Sequence, residues 1–224
     1  MNTTHFHICA FVDSRDEADQ ALVPFYREAL ARNERNLHLV EPHGQDAHRA
    51  RLAQAGIDVP ACEHRGQLAV RAWPADWTEP GGLDVEELLE AMARATAPMP
   101  APAPAPASDF DGVRVMAQMG WAARAGQDRL DLLDYEARLN ALLAERRQLA
   151  ICVYDLAALD GTLMMDLLRT HPLTMIGGVL RENPFFTPPA EMLRELSARR
   201  ATGRRRGRPA PEALPEPAWR RRAE

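Results

Sequence analysis

The 224-residue sequence predicts an α/β fold: a mostly parallel sheet of about six strands, helices on both faces, and a basic C-terminal tail. Three observations carry that reading. Short apolar runs alternate with helix-period stretches along the chain, the pattern of successive strand–helix crossovers. The opening run, His5 to Val12, is largely apolar on both of its alternating faces, as a strand covered from two sides must be. Ser14 and Glu17 then form a capping box, so a helix starts about two residues after that strand ends.

The elements follow in order. The first helix, about 15–32, places Ala18, Leu22, Phe25 and Ala29 on one stripe, and Pro24 in its interior should kink it. Asn36 to Val40 reads as a second strand, Arg49 to Ala55 as a short helix ended by Gly56, and Gln67 to Ala72 as a third strand. Gly81-Gly82 is a turn, and Asp84 with Glu87 caps a helix carrying Val85, Leu88, Leu89 and Met92. Alternating Pro-Ala from Pro98 to Ser108 fits neither helix nor ladder strand and reads as an extended surface loop. Val113 to Met119 is a fourth strand, and Asp128 to Arg146 is the longest helix. Gln148 to Asp155 is a fifth strand, followed by a short helix over Thr162 to Arg169. His171-Pro172 enforces an extended entry into a sixth strand, Leu173 to Val179. A last helix begins near Thr187 and Pro188. From Ala198 the apolar stripe stops and arginine, glycine and proline dominate, so residues 1–197 read as one domain and 198–224 as a disordered basic tail.

Composition removes several function classes. All 27 basic residues are arginine. Without lysine there is no phosphate-loop lysine, no pyridoxal Schiff base and no lysine general base. No apolar run reaches the roughly 18–20 residues of a membrane span, and the N-terminus has no basic-then-apolar signal pattern. A cytoplasmic protein without membrane association is therefore expected. Cys9, Cys62 and Cys152 are widely spaced and form no close pair of the kind zinc ribbons and redox dithiols use, which favours buried reduced thiols. Nine arginines against three glutamates give the tail a charge of +6 and leave −11 on residues 1–197.

The chain carries, in this order, the motifs H-I-C-A-F-V-D-S, V-P-F-Y-R-E-A-L, G-Q-L-A-V, R-V-M-A-Q-M-G-W, Y-E-A-R-L-N, I-C-V-Y-D, R-T-H-P-L-T-M-I-G-G and N-P-F-F-T-P-P. Together they resemble the MEDS domain, the sensory domain named for methanogen and methylotroph signalling proteins, over about residues 5–197. The resemblance implies a RecA-like or KaiC-like domain that has lost its phosphate loop and senses small hydrocarbon derivatives. It also implies regulation of a partner, a kinase or transcription factor, and hence a role in signal transduction and transcription regulation. Family members are typically fused to a helix-turn-helix or a histidine kinase, and these residues include neither.

In an open parallel sheet the pocket lies beyond the carboxyl ends of the strands. The resemblance points to His7, Cys9, Trp121, Glu136, Tyr154, Asp155, His171 and Asn183 as ligand-binding residues. An aromatic wall with a few polar groups suits a small, weakly polar organic ligand. Each residue also has a plainer reading. His7 and Cys9 fit a buried strand as core residues, Trp121 fits packing, and His171 fits a loop hydrogen bond. Asp155 after an apolar strand resembles a Walker B carboxylate, which leaves a residual nucleotide-binding ATPase as an alternative. A Cys9–His pair leaves a cysteine-dependent hydrolase as another. His5, His7, Cys9, Cys62, His64 and His171 make a metal site conceivable, but their spacing matches no tight zinc motif, and neither metal nor cofactor is assigned. A regulator acting by contact with a sigma factor or polymerase is a third reading. The leading expectation is a non-enzymatic sensory module. In the tail, G-R-R-R-G-R-P ends in an AT-hook-like core, making Arg205, Arg206 and Arg208 candidate contacts for weak nucleic-acid binding.

Overall fold

The computed structural model describes residues 6–97, 110–124, 127–146 and 148–206. The Pro-Ala loop at 98–108, His5, Arg208 and the rest of the tail lie outside them, as do the side chains of Arg205 and Arg206.

Seven strands form one sheet: β1 (Phe6–Val12), β2 (Glu34–Val40), β3 (Leu68–Ala72), β4 (Gly112–Gln118), β5 (Leu149–Asp155), β6 (Leu173–Ile176) and β7 (Val179–Glu182). Their order across the sheet is β3-β2-β4-β5-β1-β6-β7, and every pairing is parallel except β6 with β7. The helices are α1 (Arg15–Ala31), α2 (Gln45–Gln54), α3 (Val59–His64), α4 (Ala75–Thr78), α5 (Val85–Ala95), α6 (Arg129–Arg146), α7 (Gly161–Thr170) and α8 (Pro189–Arg206). This is the α/β sheet with two covered faces that the alternation predicts, of the RecA-like kind that the resemblance implies. Leu22 and Tyr26 of α1, Leu52 of α2 and Val59 of α3 pack against Ile8, Ala10 and Val12 on one face. The residues between these on β1, Cys9 and Phe11, turn to the other face, under α5, α6, α7 and α8.

Three local features depart from the sequence reading. The sixth strand is a hairpin rather than one run, because Gly177 and Gly178, with φ of 56° and 72°, supply the two left-handed residues of a tight turn. Helices α3 and α4 have no counterpart in the sequence reading; Asp58 caps α3 by accepting from the Ala61 amide at 3.1 Å. Helix α8 runs through Arg206, past the expected domain end at 197, although its apolar stripe has stopped. Arg199 pairs with Asp166 at 2.8 Å and Glu195 at 2.6 Å, and Arg200 with Asp131 at 2.6 Å and Asp134 at 2.7 Å, so ion pairs extend what apolar packing does not. Among the described residues, no helix is long and apolar enough to cross a membrane.

Candidate functional site

Register builds the site. β1 and β5 pair so that Cys9 lies beside Cys152 and Phe11 beside Tyr154. Side chains alternate, so His7 and Cys9 from β1 share a face with Cys152 and Tyr154 from β5. Helix α6 crosses this face and lowers Glu136 onto it, while His171, the C-cap of α7, arrives from the loop before β6. The backbone of His171 is extended, with φ −119° and ψ 123°, the conformation that Pro172 demands of its predecessor.

These groups converge on one carboxylate. Glu136 Oε2 lies 3.1 Å from His7 Nε2, 3.5 Å from His171 Nε2 and 3.5 Å from Cys152 Sγ, while Oε1 accepts a hydrogen bond from the Tyr154 hydroxyl. His7 Nε2 is also 3.4 Å from Cys152 Sγ. His7, Glu136, Cys152, Tyr154 and His171 are all at most 1% exposed. His171 Nδ1 lies 2.8 Å from the Leu167 carbonyl and 2.9 Å from the Thr170 hydroxyl. A carbonyl only accepts, so the Nδ1 proton is fixed and Nε2 is the nitrogen turned toward Glu136.

Two asparagines hold this arrangement. Asn140 donates to the carbonyls of Glu136 at 2.9 Å and Thr170 at 2.8 Å, which ties α6 to the end of α7. Asn183 donates to the carbonyls of Leu168 at 2.5 Å and His171 at 2.7 Å, and its Oδ1 accepts from the Phe185 amide. It positions the His171 backbone from behind.

Burial dominates the electrostatics. It lowers His7 to about 4, with help from the nearby His171 and against the pull of Glu136. It would raise Glu136, but the charge of His171 and the contacts with both histidines outweigh it and hold the carboxyl well below its usual range. The thiols of Cys9 and Cys152 and the Tyr154 hydroxyl are pushed up, first by burial and then by the Glu136 charge. They remain protonated at neutral pH.

The remaining expected residues lie elsewhere. Trp121 is fully buried beyond the end of β4 and meets Trp73 edge-on, with ring centroids 5.6 Å apart. Asp155 is exposed and accepts from the Ala157 amide at 2.8 Å, capping a single turn of 3-10 helix. A cleft of about 380 Å³ opens at the carboxyl ends of β2 and β3, lined by Leu39, Trp73, Trp77 and Met92, with Arg71 and Arg94 at its edge. It is three to four strand spacings from β1, roughly 14–19 Å at the usual inter-strand distance. None of the eight expected residues lines it. Trp73 directly follows the third strand, Leu68–Ala72, whereas Trp77 carries no sequence signal of its own, because the short helix α4 is what turns it toward Trp73.

The geometry limits the chemistry. In nucleotide-binding relatives of this architecture, a phosphate docks at the turn between the first strand and helix. Here Ser14 Oγ accepts from the Glu17 amide at 3.1 Å, and Glu17 Oε2 accepts from the Asp13 amide at 2.7 Å. The turn spends its donors on its own side chains and presents Asp13, Asp16 and Glu17 where an anion would sit. A cysteine–histidine contact is present, between Cys152 and His7 rather than Cys9, and both residues are buried in the core.

A family model for the methanogen/methylotroph, DcmR sensory domain, MEDS, matches residues 6–172. No curated protein matches the chain. Among solved structures it is similar to the KaiC-like protein of the hyperthermophilic archaeon Pyrococcus horikoshii OT3, at 13% identity and a TM-score of 0.51. The match covers 77% of this chain and 70% of that one. At that identity the likeness concerns the fold alone, a RecA-like sheet reached by two distant sequences. With the family model spanning most of the described sheet, the chain belongs to the MEDS family of sensory domains.

Proposed function

We propose that this chain is a non-enzymatic signal-transduction module that binds a small, weakly polar organic molecule of the hydrocarbon-derivative class and thereby regulates a partner protein, a kinase or transcription factor. The observation that carries the reading is the Trp73–Trp77 cleft. It sits at the strand carboxyl ends, where open α/β sheets bind ligands, and its size and apolar lining suit a small molecule. Arg71 and Arg94 supply the polar accent that would orient such a ligand. Trp121 supports Trp73 from behind, so closure on a ligand would be felt at the end of β4. Binding changes the output only to the extent that one conformation of the cleft binds better than another.

Tryptophan fluorescence reports directly on this cleft. Titration with a panel of halogenated and oxygenated hydrocarbons of one to six carbons should give a saturable change for at least one compound. Trp77→Ala should weaken that affinity at least about tenfold, the scale on which one lost aromatic contact costs more than 1.4 kcal/mol. A saturable response of the same affinity in Trp77→Ala would remove the cleft from the mechanism. The absence of any response from the wild type would remove the ligand class.

A further inference from the structure

We infer that His7, Glu136, Cys152 and His171 form a binding site for one divalent transition-metal ion of the zinc class, held through His7 Nε2, Glu136 Oε2, Cys152 Sγ and His171 Nε2. The four donor atoms come from four separate segments of the chain and lie within 4.8 Å of one another in a fully buried pocket.

The spacing is that of a coordination shell. With bonds of roughly 2.0–2.2 Å to nitrogen or oxygen and 2.3 Å to sulfur, the ligand atoms of a tetrahedral zinc site stand roughly 3.3–3.7 Å apart. Four of the six donor-atom separations are 3.1, 3.4, 3.5 and 3.5 Å, and all six lie within 4.8 Å. The 3.5 Å between His171 Nε2 and Glu136 Oε2 is long for a hydrogen bond and natural as an edge of a tetrahedron. His171 Nε2 is buried and makes no hydrogen bond, while its Nδ1 proton is engaged by a backbone carbonyl. That is the outer contact by which proteins aim a ligating imidazole.

Glu136 is prepared in the same way. Tyr154 occupies Oε1 and leaves Oε2 to face the two histidines and the thiol. Charge also closes: a divalent ion with one carboxylate and one thiolate is neutral, which suits a fully buried pocket. On binding, the Cys152 thiol releases its proton to solvent, and two neutral imidazoles ligate through Nε2 with their protons on Nδ1. Bonds to two nitrogens, one oxygen and one sulfur fill the tetrahedron. No position is left open for substrate, so the ion is structural or is itself the sensed species. The site is independent of the ligand cleft, which lies on the far strands.

The test uses the full-length protein, refolded from denaturant with Zn²⁺ or Co²⁺ so that closure of the pocket is no barrier, then desalted. One metal ion per chain by elemental analysis is expected, with a thiolate-to-cobalt charge-transfer band in the Co²⁺ form and a raised melting temperature. Cys152→Ser, which preserves the shape of the pocket, should lose the band. Cys62→Ser, which removes the thiol on α3, should keep it. Tyr154→Phe should lower affinity about 10–100-fold as a loss of ligand orientation. A metal-free refolded wild type would overturn the assignment. So would a thiolate band that survives Cys152→Ser or vanishes in Cys62→Ser.

Discussion

Two clusters of buried histidine lie on opposite faces of the same sheet and behave differently. On the face under α1 and α2, His38 and His48 share a hydrogen bond, Nδ1 to Nε2 at 2.8 Å, with the Tyr26 ring 4.2 Å from that of His38. Burial lowers both histidines. For His48 the charges of Arg51 and then Arg49 add to the effect, and for His38 the neighbouring His48 does. The pair is neutral, and each imidazole satisfies one nitrogen of the other, while His38 Nε2 and His48 Nδ1 have no hydrogen-bond partner among the described residues. On the face under α6, His7 and His171 stand with ring centroids 4.0 Å apart, and between them the chain has placed a buried carboxylate. A buried carboxylate needs a compensating charge, so this cluster is tied to protons or to a cation in a way that the first is not. Histidine count alone does not distinguish a packing pair from a binding site; the carboxylate and thiol beside it do.

Removing that carboxylate is the severest way to probe the difference. Glu136→Ala leaves the Tyr154 hydroxyl and both imidazoles facing an empty site. It should cost about 3–5 kcal/mol of stability, the scale for breaking a buried charge pair, measured by urea unfolding at pH 7. A loss under 1 kcal/mol would mean that the cluster is no more charged than the His38 pair.

Acid should act next. His48 in the folded protein titrates near 4, against 6.5 for a free histidine. A group whose folded pKa is depressed keeps its full stabilising contribution above the unfolded value and loses it as pH falls toward the folded one. Stability should therefore decline from pH 6.5 down to pH 4, by about 3 kcal/mol for His48 alone. His38 acts in the same direction. Melting temperatures over this window should flatten measurably in His48→Gln, and an unchanged slope would assign the acid response to the other cluster.

The smallest effect is expected where charge meets water. Arg200 reaches Asp131 and Asp134 from the end of α8, with its side chain 30% exposed. Arg200→Ala should cost about 1 kcal/mol or less and should be insensitive to substitution in either histidine cluster. A larger loss would show that the last turns of α8 hold more of the domain together than their ion pairs account for.

Much of this architecture was legible in local signals. The capping box at Ser14 and Glu17, the acidic cap at Asp84 and the extended His171 before Pro172 all take the form that local chemistry requires. Less local features were not legible. Gly177-Gly178 sits inside a continuous apolar run, so period alone does not separate one strand from a hairpin. In α8 the apolar stripe ends before the helix does, because the acidic partners of Arg199 and Arg200 lie on α6 and α7. From sequence, Cys152 is a buried reduced thiol and Glu136 enters only through the resemblance. Neither has a neighbour in sequence that marks it as part of a donor set.

The sequence by itself determined the alternation of strand and helix, the two-faced first strand, the lack of any lysine and the acidic turn in place of a phosphate loop. Each of these is a property of one residue or one short window. Only the tertiary structure decided that β1 lies beside β5, which places Cys9 against Cys152, and that α6 descends on that pair with Glu136. Strand order is chosen by which faces bury best over the whole sheet, and contacts across 129 and 145 residues, such as Glu136 with His7 and Cys152 with His7, exist only once that choice is made.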